Sequence, residues 1–121
     1  MKIPGPDHPI TITPSKDHVT VSFNGKVVAD TKRALVLQEA AYKPVLYIPR
    51  EDAKMDLFAR TTNSTHCPYK GDASYYTIKV GDRAAENAIW SYETPFPAMK
   101  EIEGHLAFYP NRVDKIDVTP G

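Results

Sequence analysis

This chain predicts a mainly β, antiparallel single domain, and three observations carry that expectation. Short segments that alternate apolar and polar residues recur along it, and pairs containing Gly or Asn separate several of them. Eleven prolines, about twice the ordinary share, cut the remaining stretches into short pieces. No window keeps a helical apolar period beyond about three turns, so a helical bundle is not expected. About seven to nine short strands at regular spacing fit a β sandwich or barrel.

Taken in order, Pro4, Pro6, Pro9 and Pro14 make residues 1–17 an extended arm rather than a helix. From His18 to Phe23, the residues Val19, Val21 and Phe23 fall on one face at the period of two that a strand requires. Asn24-Gly25 follows, and both residue types tolerate the positive φ of a type I′ hairpin turn, which makes residues 26–30 the return strand. Residues 34–38 read as a further strand, although leucine and alanine leave a helix open. Residues 45–48 are extended between Pro44 and Pro49. Pro49 followed by Glu51 and Asp52 suits a helical turn at the start of residues 51–58, because Pro fits the first helical position and carboxylates favour the N-terminal end. Residues 74–80 form a strand closed by a Gly81-Asp82 turn. Residues 88–92, 106–109 and 113–118 complete the series.

At 121 residues the chain is long enough for one core, expected over residues 18–121 behind the arm. Fifteen basic and fifteen acidic residues leave a formal net charge of zero, so no broad basic footprint recruits nucleic acid or an anionic membrane. The apolar stretches are too short to span a bilayer, and Met1-Lys2-Ile3-Pro4-Gly5 lacks the apolar core of a secretory signal. One cysteine forms no internal disulfide and builds no cysteine-rich zinc site, which suits a reduced, cytoplasmic setting. The four histidines are scattered without metal-ligand spacing, so neither a metal nor a cofactor is expected.

The densest chemistry lies in Thr65-His66-Cys67-Pro68-Tyr69-Lys70-Gly71. Pro68 stiffens this stretch and Gly71 permits positive φ, so a tight turn can fix Cys67 beside Lys70. An ammonium near a thiol favours the thiolate, which makes Cys67 a candidate nucleophile or redox thiol. An inert, packed thiol is the plainer role, and the lack of a resolving cysteine favours it. Lys70 is a candidate hook for a phosphate or carboxylate, or else a salt-bridge partner of Glu39, Asp52 or Glu93. Glu39 interrupts an apolar stretch and must reach water, pair with a cation or take up a proton. It is a candidate general acid or base and, slightly ahead of that, the structural partner of Lys70. Arg50 can clamp an anion bidentately or pair with Asp52. Glu93 and Asp52 are weaker carboxylate candidates, and His66 is a proton carrier or a surface residue.

Tyr47, Tyr75, Tyr76, Trp90 and Tyr92 offer aromatic faces with polar tips. On strands, Trp90 and Tyr92 share a side, whereas Tyr75 and Tyr76 point oppositely. Such walls suit a flat or cationic small ligand through stacking and cation–π contact; an aromatic core with hydrogen-bonded phenols is the alternative. No glycine-rich phosphate loop of Walker type is present.

Several blocks occur in series: Glu39, then Tyr47-Ile48-Pro49-Arg50-Glu51-Asp52, the Thr65–Gly71 stretch, Ala73-Ser74-Tyr75, Trp90-Ser91-Tyr92-Glu93 and Ala107-Phe108-Tyr109. From Val19 to Val113 the series resembles the family catalogued as domain of unknown function 427, which also carries a nucleotidyltransferase-like label. The resemblance implies a β-tent, with two antiparallel sheets of short strands packed at an angle over a pocket, and at most one or two short helical turns. Methionine sulfoxide reductase B and the ligand-binding domain of cereblon share that architecture, many relatives with a structural zinc that this chain cannot build. Fold alone does not carry chemistry, so sulfoxide reduction ranks below plain binding.

Two functions remain. The first is a small-molecule binding module in which Tyr47, Tyr75, Trp90 and Tyr92 wall a pocket and Lys70, Arg50, Glu39 and Glu93 supply charge. The second is an enzyme acting on a small anionic or nucleotide-like substrate, with Lys70 holding charge, Glu39 moving protons and Cys67 as nucleophile. A protein-interaction domain would instead show a large exposed apolar patch.

Overall fold

Ten strands and three short 3₁₀ turns make up the computed structural model, which describes residues 1–121. The strands are β1 (Ile10–Pro14), β2 (His18–Phe23), β3 (Lys26–Thr31), β4 (Leu35–Glu39), β5 (Val45–Tyr47), β6 (Phe58–Cys67), β7 (Gly71–Val80), β8 (Arg83–Ser91), β9 (Ala107–Phe108) and β10 (Lys115–Thr119). All pairings are antiparallel, and the sheet orders are β1-β4-β5, β10-β2-β3 and β6-β7-β8-β9.

The mainly β class therefore holds, with two adjustments. The strands close no barrel, and they form three sheets rather than the two implied by the resemblance. The added sheet arises because part of the Pro-rich arm pairs: Ile10 to Pro14 lie opposite Glu39 to Leu35. Pro14 is tolerated because β1 is an edge strand, where a missing N–H need not serve a second neighbour. The helical turns span Arg50–Asp52, Met55–Leu57 and Pro97–Ile102. The first two fall within the stretch where a turn is expected; the third, opened by Pro97, is additional.

Local chemistry explains the main elements. Asn24 and Gly25 adopt φ of 49° and 77°, which turns β2 directly into β3. Val19, Val21 and Phe23 are buried at alternate positions along β2. Together with Val28, Ile78, Ile89, Leu106 and Phe108 they form the larger of two core clusters. The smaller cluster holds Leu37, Tyr47, Tyr75, Tyr92, Met99, Ile102 and Ala107. Each fully buried aliphatic side chain contributes about 1.5–3 kcal/mol of transfer free energy, so both clusters act as anchors. No helix of the structure is long and apolar enough to cross a membrane.

Candidate functional site

The smaller core opens into a hollow of about 220 Å³. Glu39 reaches it from the end of β4, Tyr47 from β5, Tyr75 from β7 and Trp90 from β8. Tyr92 arrives just past β8, and Lys70 from the tip of the β6–β7 hairpin. The period-two rule accounts for the aromatic set. Trp90 and Tyr92 line the same hollow, while Tyr75 joins the smaller core and Tyr76 the larger one.

The hairpin tip is pinned in place, which is why a lysine can lie only 7% exposed. The Lys70 carbonyl accepts the Phe96 N–H at 3.0 Å, and the Pro68 carbonyl accepts the Lys2 N–H at 2.7 Å. Gly71 pairs with Cys67 at a φ of 110°, a backbone conformation that side-chain-bearing residues rarely adopt. Lys70 Nζ then donates to Glu39 Oε1 at 2.5 Å, lies 3.7 Å from Cys67 Sγ and sits 5.9 Å from the centre of the Tyr92 ring.

The other Glu39 oxygen lies 2.7 Å from His8 Nε2, and the His8 ring stacks on Tyr69 with centres 4.2 Å apart. Burial raises the Glu39 carboxyl, but the hydrogen bonds with Lys70 and His8 outweigh it and hold its pKa below the usual range. Glu39 is thus a paired carboxylate at neutral pH.

The phenols behave in the opposite way. Burial pushes Tyr47 and Tyr92 well up, and burial with a hydrogen bond to Tyr75 takes Tyr109 to about 12. All three remain protonated near pH 7 and able to donate. Tyr47 Oη accepts the Trp90 indole N–H at 3.2 Å, and Tyr75 Oη lies 2.9 Å from Thr65 Oγ1 and 3.5 Å from Tyr109 Oη. Every fully buried side-chain polar atom has a partner. Tyr92 Oη makes no hydrogen bond within the chain, so it reaches the open space of the hollow.

Two predicted members lie elsewhere. Arg50 donates to the Gly104 carbonyl at 3.0 Å, to Tyr76 Oη at 3.1 Å and to Ser91 Oγ at 3.3 Å, and it pairs with Glu93 at 3.2 Å. Glu93 also accepts from Tyr76 Oη at 2.6 Å and pairs with Arg60 at 3.2 Å. The reason is alternation: Glu93 follows Tyr92 and therefore faces away from the hollow, to the side on which Tyr76 lies. Asp52 pairs with Arg33 rather than Arg50. Cys67 is half-buried beside the hollow, and His66 is exposed against Asp72 at 2.7 Å.

His8, Tyr42, Lys43 and Tyr109 are members that the sequence did not disclose. Tyr42, Lys43 and Tyr109 line the hollow; His8 acts on Glu39 from 31 residues away. Only Tyr109 carried a signal, through the Ala107-Phe108-Tyr109 block. No three His, Cys, Asp or Glu side chains gather as metal ligands would.

A family model described as a domain of unknown function, DUF427, matches residues 11–119, and the chain belongs to that family. No curated protein matches it.

Proposed function

We propose that this chain is a small-molecule binding domain whose ligand enters the hollow over Lys70 and Glu39. One observation supports this above the rest: six side chains from six separate positions between Glu39 and Tyr92 converge on a single concave space. Aromatic walls with a few convergent polar groups are the usual make-up of a ligand cleft. Lys43 is exposed at the rim, Lys70 stands inside, and the neutral phenols donate hydrogen bonds. One carboxylate, already paired, stands against these two cations. The balance favours an anionic or acceptor-rich molecule with a flat or apolar part, which includes nucleotide-like compounds.

Thermal-shift screening against nucleotides, sugars, amino acids, organic acids and quaternary amines tests this. A ligand that binds only the folded protein raises the melting temperature by mass action. The shift should vanish in Lys70→Met and shrink in Tyr92→Phe, each compared with its own ligand-free melting point. A hit whose shift survives both substitutions would place binding elsewhere.

The contact of Lys70 Nζ with both Glu39 and Cys67 supports a second reading, an enzyme on an anionic substrate. There Lys70 holds charge, Glu39 moves a proton and Cys67 attacks. That reading requires iodoacetamide to label Cys67 at a rate that Lys70→Met slows. A thiol inert in both proteins removes nucleophilic chemistry.

A further inference from the structure

Trp90 and Val45 border a second hollow as well, of about 230 Å³. It sits at the seam of the three sheets, where Val21 from β2, Leu46 from β5, Phe108 from β9 and Ile116 from β10 meet. Its lining carries no charged side chain. Alternation along β5 divides the labour, because Tyr47 faces the polar hollow while Leu46 and Ile48 face the apolar one.

Volume and hydration both favour reading the hollows together. Small-molecule clefts usually measure about 300–1,000 Å³, and neither space reaches that alone; joined across Trp90 and Val45 they offer roughly 450 Å³, within the range. The apolar space also offers water few side-chain partners. The only side-chain polar atom on its wall is the indole nitrogen, whose N–H is already given to Tyr47. A buried water needs two to four partners, so an apolar group replaces it with a gain.

We propose that the two hollows form one bipartite site for a small amphipathic anion. An oxyacid head lies against Lys70, Lys43 and the free Tyr92 hydroxyl, and an alkyl or aryl tail runs past Trp90 into the apolar hollow. This rests on the small-molecule function proposed above and adds the chemical class of the ligand.

Trp90 is the only tryptophan, so its fluorescence reports occupancy of either hollow. The probes are straight-chain carboxylates, from acetate through butanoate and hexanoate to octanoate, titrated below micelle-forming concentrations. Each added methylene should tighten binding by about fourfold until the hollow is full. Ile116→Phe plugs the apolar hollow alone, so it should remove the chain-length gain while leaving acetate affinity within about twofold. Pro110→Phe, at the exposed rim, makes the same test if Ile116→Phe does not fold. Lys70→Met should weaken every member alike, by at least about tenfold.

If short chains bind through Lys70 but length has no effect, the bipartite site is wrong and the small-molecule function stands. A length gain that is indifferent to Lys70→Met, or that survives the plug, shows separate sites and overturns the proposal. Absence of binding by every carboxylate overturns it too, while a Lys70-dependent hit in the thermal screen would preserve the broader function.

Discussion

Replacing Lys70 by methionine keeps most of the side-chain volume and removes the charge, which isolates the Lys70–Glu39 pair. The lysine side chain is 9% exposed and the carboxylate 17%, so the pair is nearly buried. Removing one partner of a fully buried pair costs about 3–5 kcal/mol. Glu39 keeps His8 and some water, which brings the expected loss to about 2 kcal/mol at pH 7. The sign with pH follows from the folded carboxyl, whose pKa is depressed. Stabilisation by the pair is complete above the unfolded value of about 4.3 and is lost as pH falls through the lower folded value. In Lys70→Met, burial is the largest influence left on Glu39, and it raises the carboxyl. The cost of the variant should therefore shrink on acidification, as Glu39 takes up its proton. Urea unfolding followed by circular dichroism at pH 7 and pH 4 measures both quantities. The double variant Glu39→Gln/Lys70→Met, which leaves no lone charge, should be more stable than Lys70→Met alone. A cost below about 0.5 kcal/mol at pH 7, the level of a solvent-exposed pair, or a cost that ignores pH, refutes the buried pair.

Other substitutions probe the surroundings. Gly71→Ala should lose about 1–3 kcal/mol through backbone strain alone, since the nearest atoms to an added Cβ are 3.5 Å away and leave it room; a neutral result in urea would contradict the positive φ. His8→Ala should cost about 1 kcal/mol and make residues 1–9 the first to be cut in limited proteolysis, whereas unchanged resistance would mean the arm is held without that ring. Trp90→Phe removes the hydrogen bond to Tyr47 and should cost about 1–2 kcal/mol, with any ligand-dependent thermal shift reduced. Glu93→Gln should destabilise the Arg50–Tyr76 cluster but leave ligand affinity within about twofold; a larger loss would return Glu93 to the site.

The parts of the fold visible beforehand are those where one face is buried. β2 shows its alternation openly, and Asn24-Gly25 names its own turn. β6 did not announce itself beyond its end at the Cys67 turn: most of Phe58–Cys67 is exposed on both faces, so no apolar period marks a ten-residue strand. β1 was hidden by its prolines, which read as an arm because local sequence cannot show that an edge is available on β4. Much of the site was legible for the same reason as β2. Period two puts Trp90 and Tyr92 together and separates Tyr75 from Tyr76. Applied one residue further, it also sends Glu93 away from Tyr92, which explains why Glu93 and its partner Arg50 do not join the hollow. His8 was out of reach, because its meeting with Glu39 depends on the register of a pairing between distant segments rather than on any pattern around it.

The most direct test uses amide and indole resonances in a ¹⁵N-labelled sample. With the strongest thermal-shift hit added, the Trp90 indole N–H and the backbone amides of Lys70, Tyr75 and Tyr92 should shift together along one saturation curve. Shifts confined to the Arg50–Glu93 cluster or to β3, with the Trp90 indole unmoved at saturation, would show that the hollow over Lys70 and Glu39 is not where this protein binds.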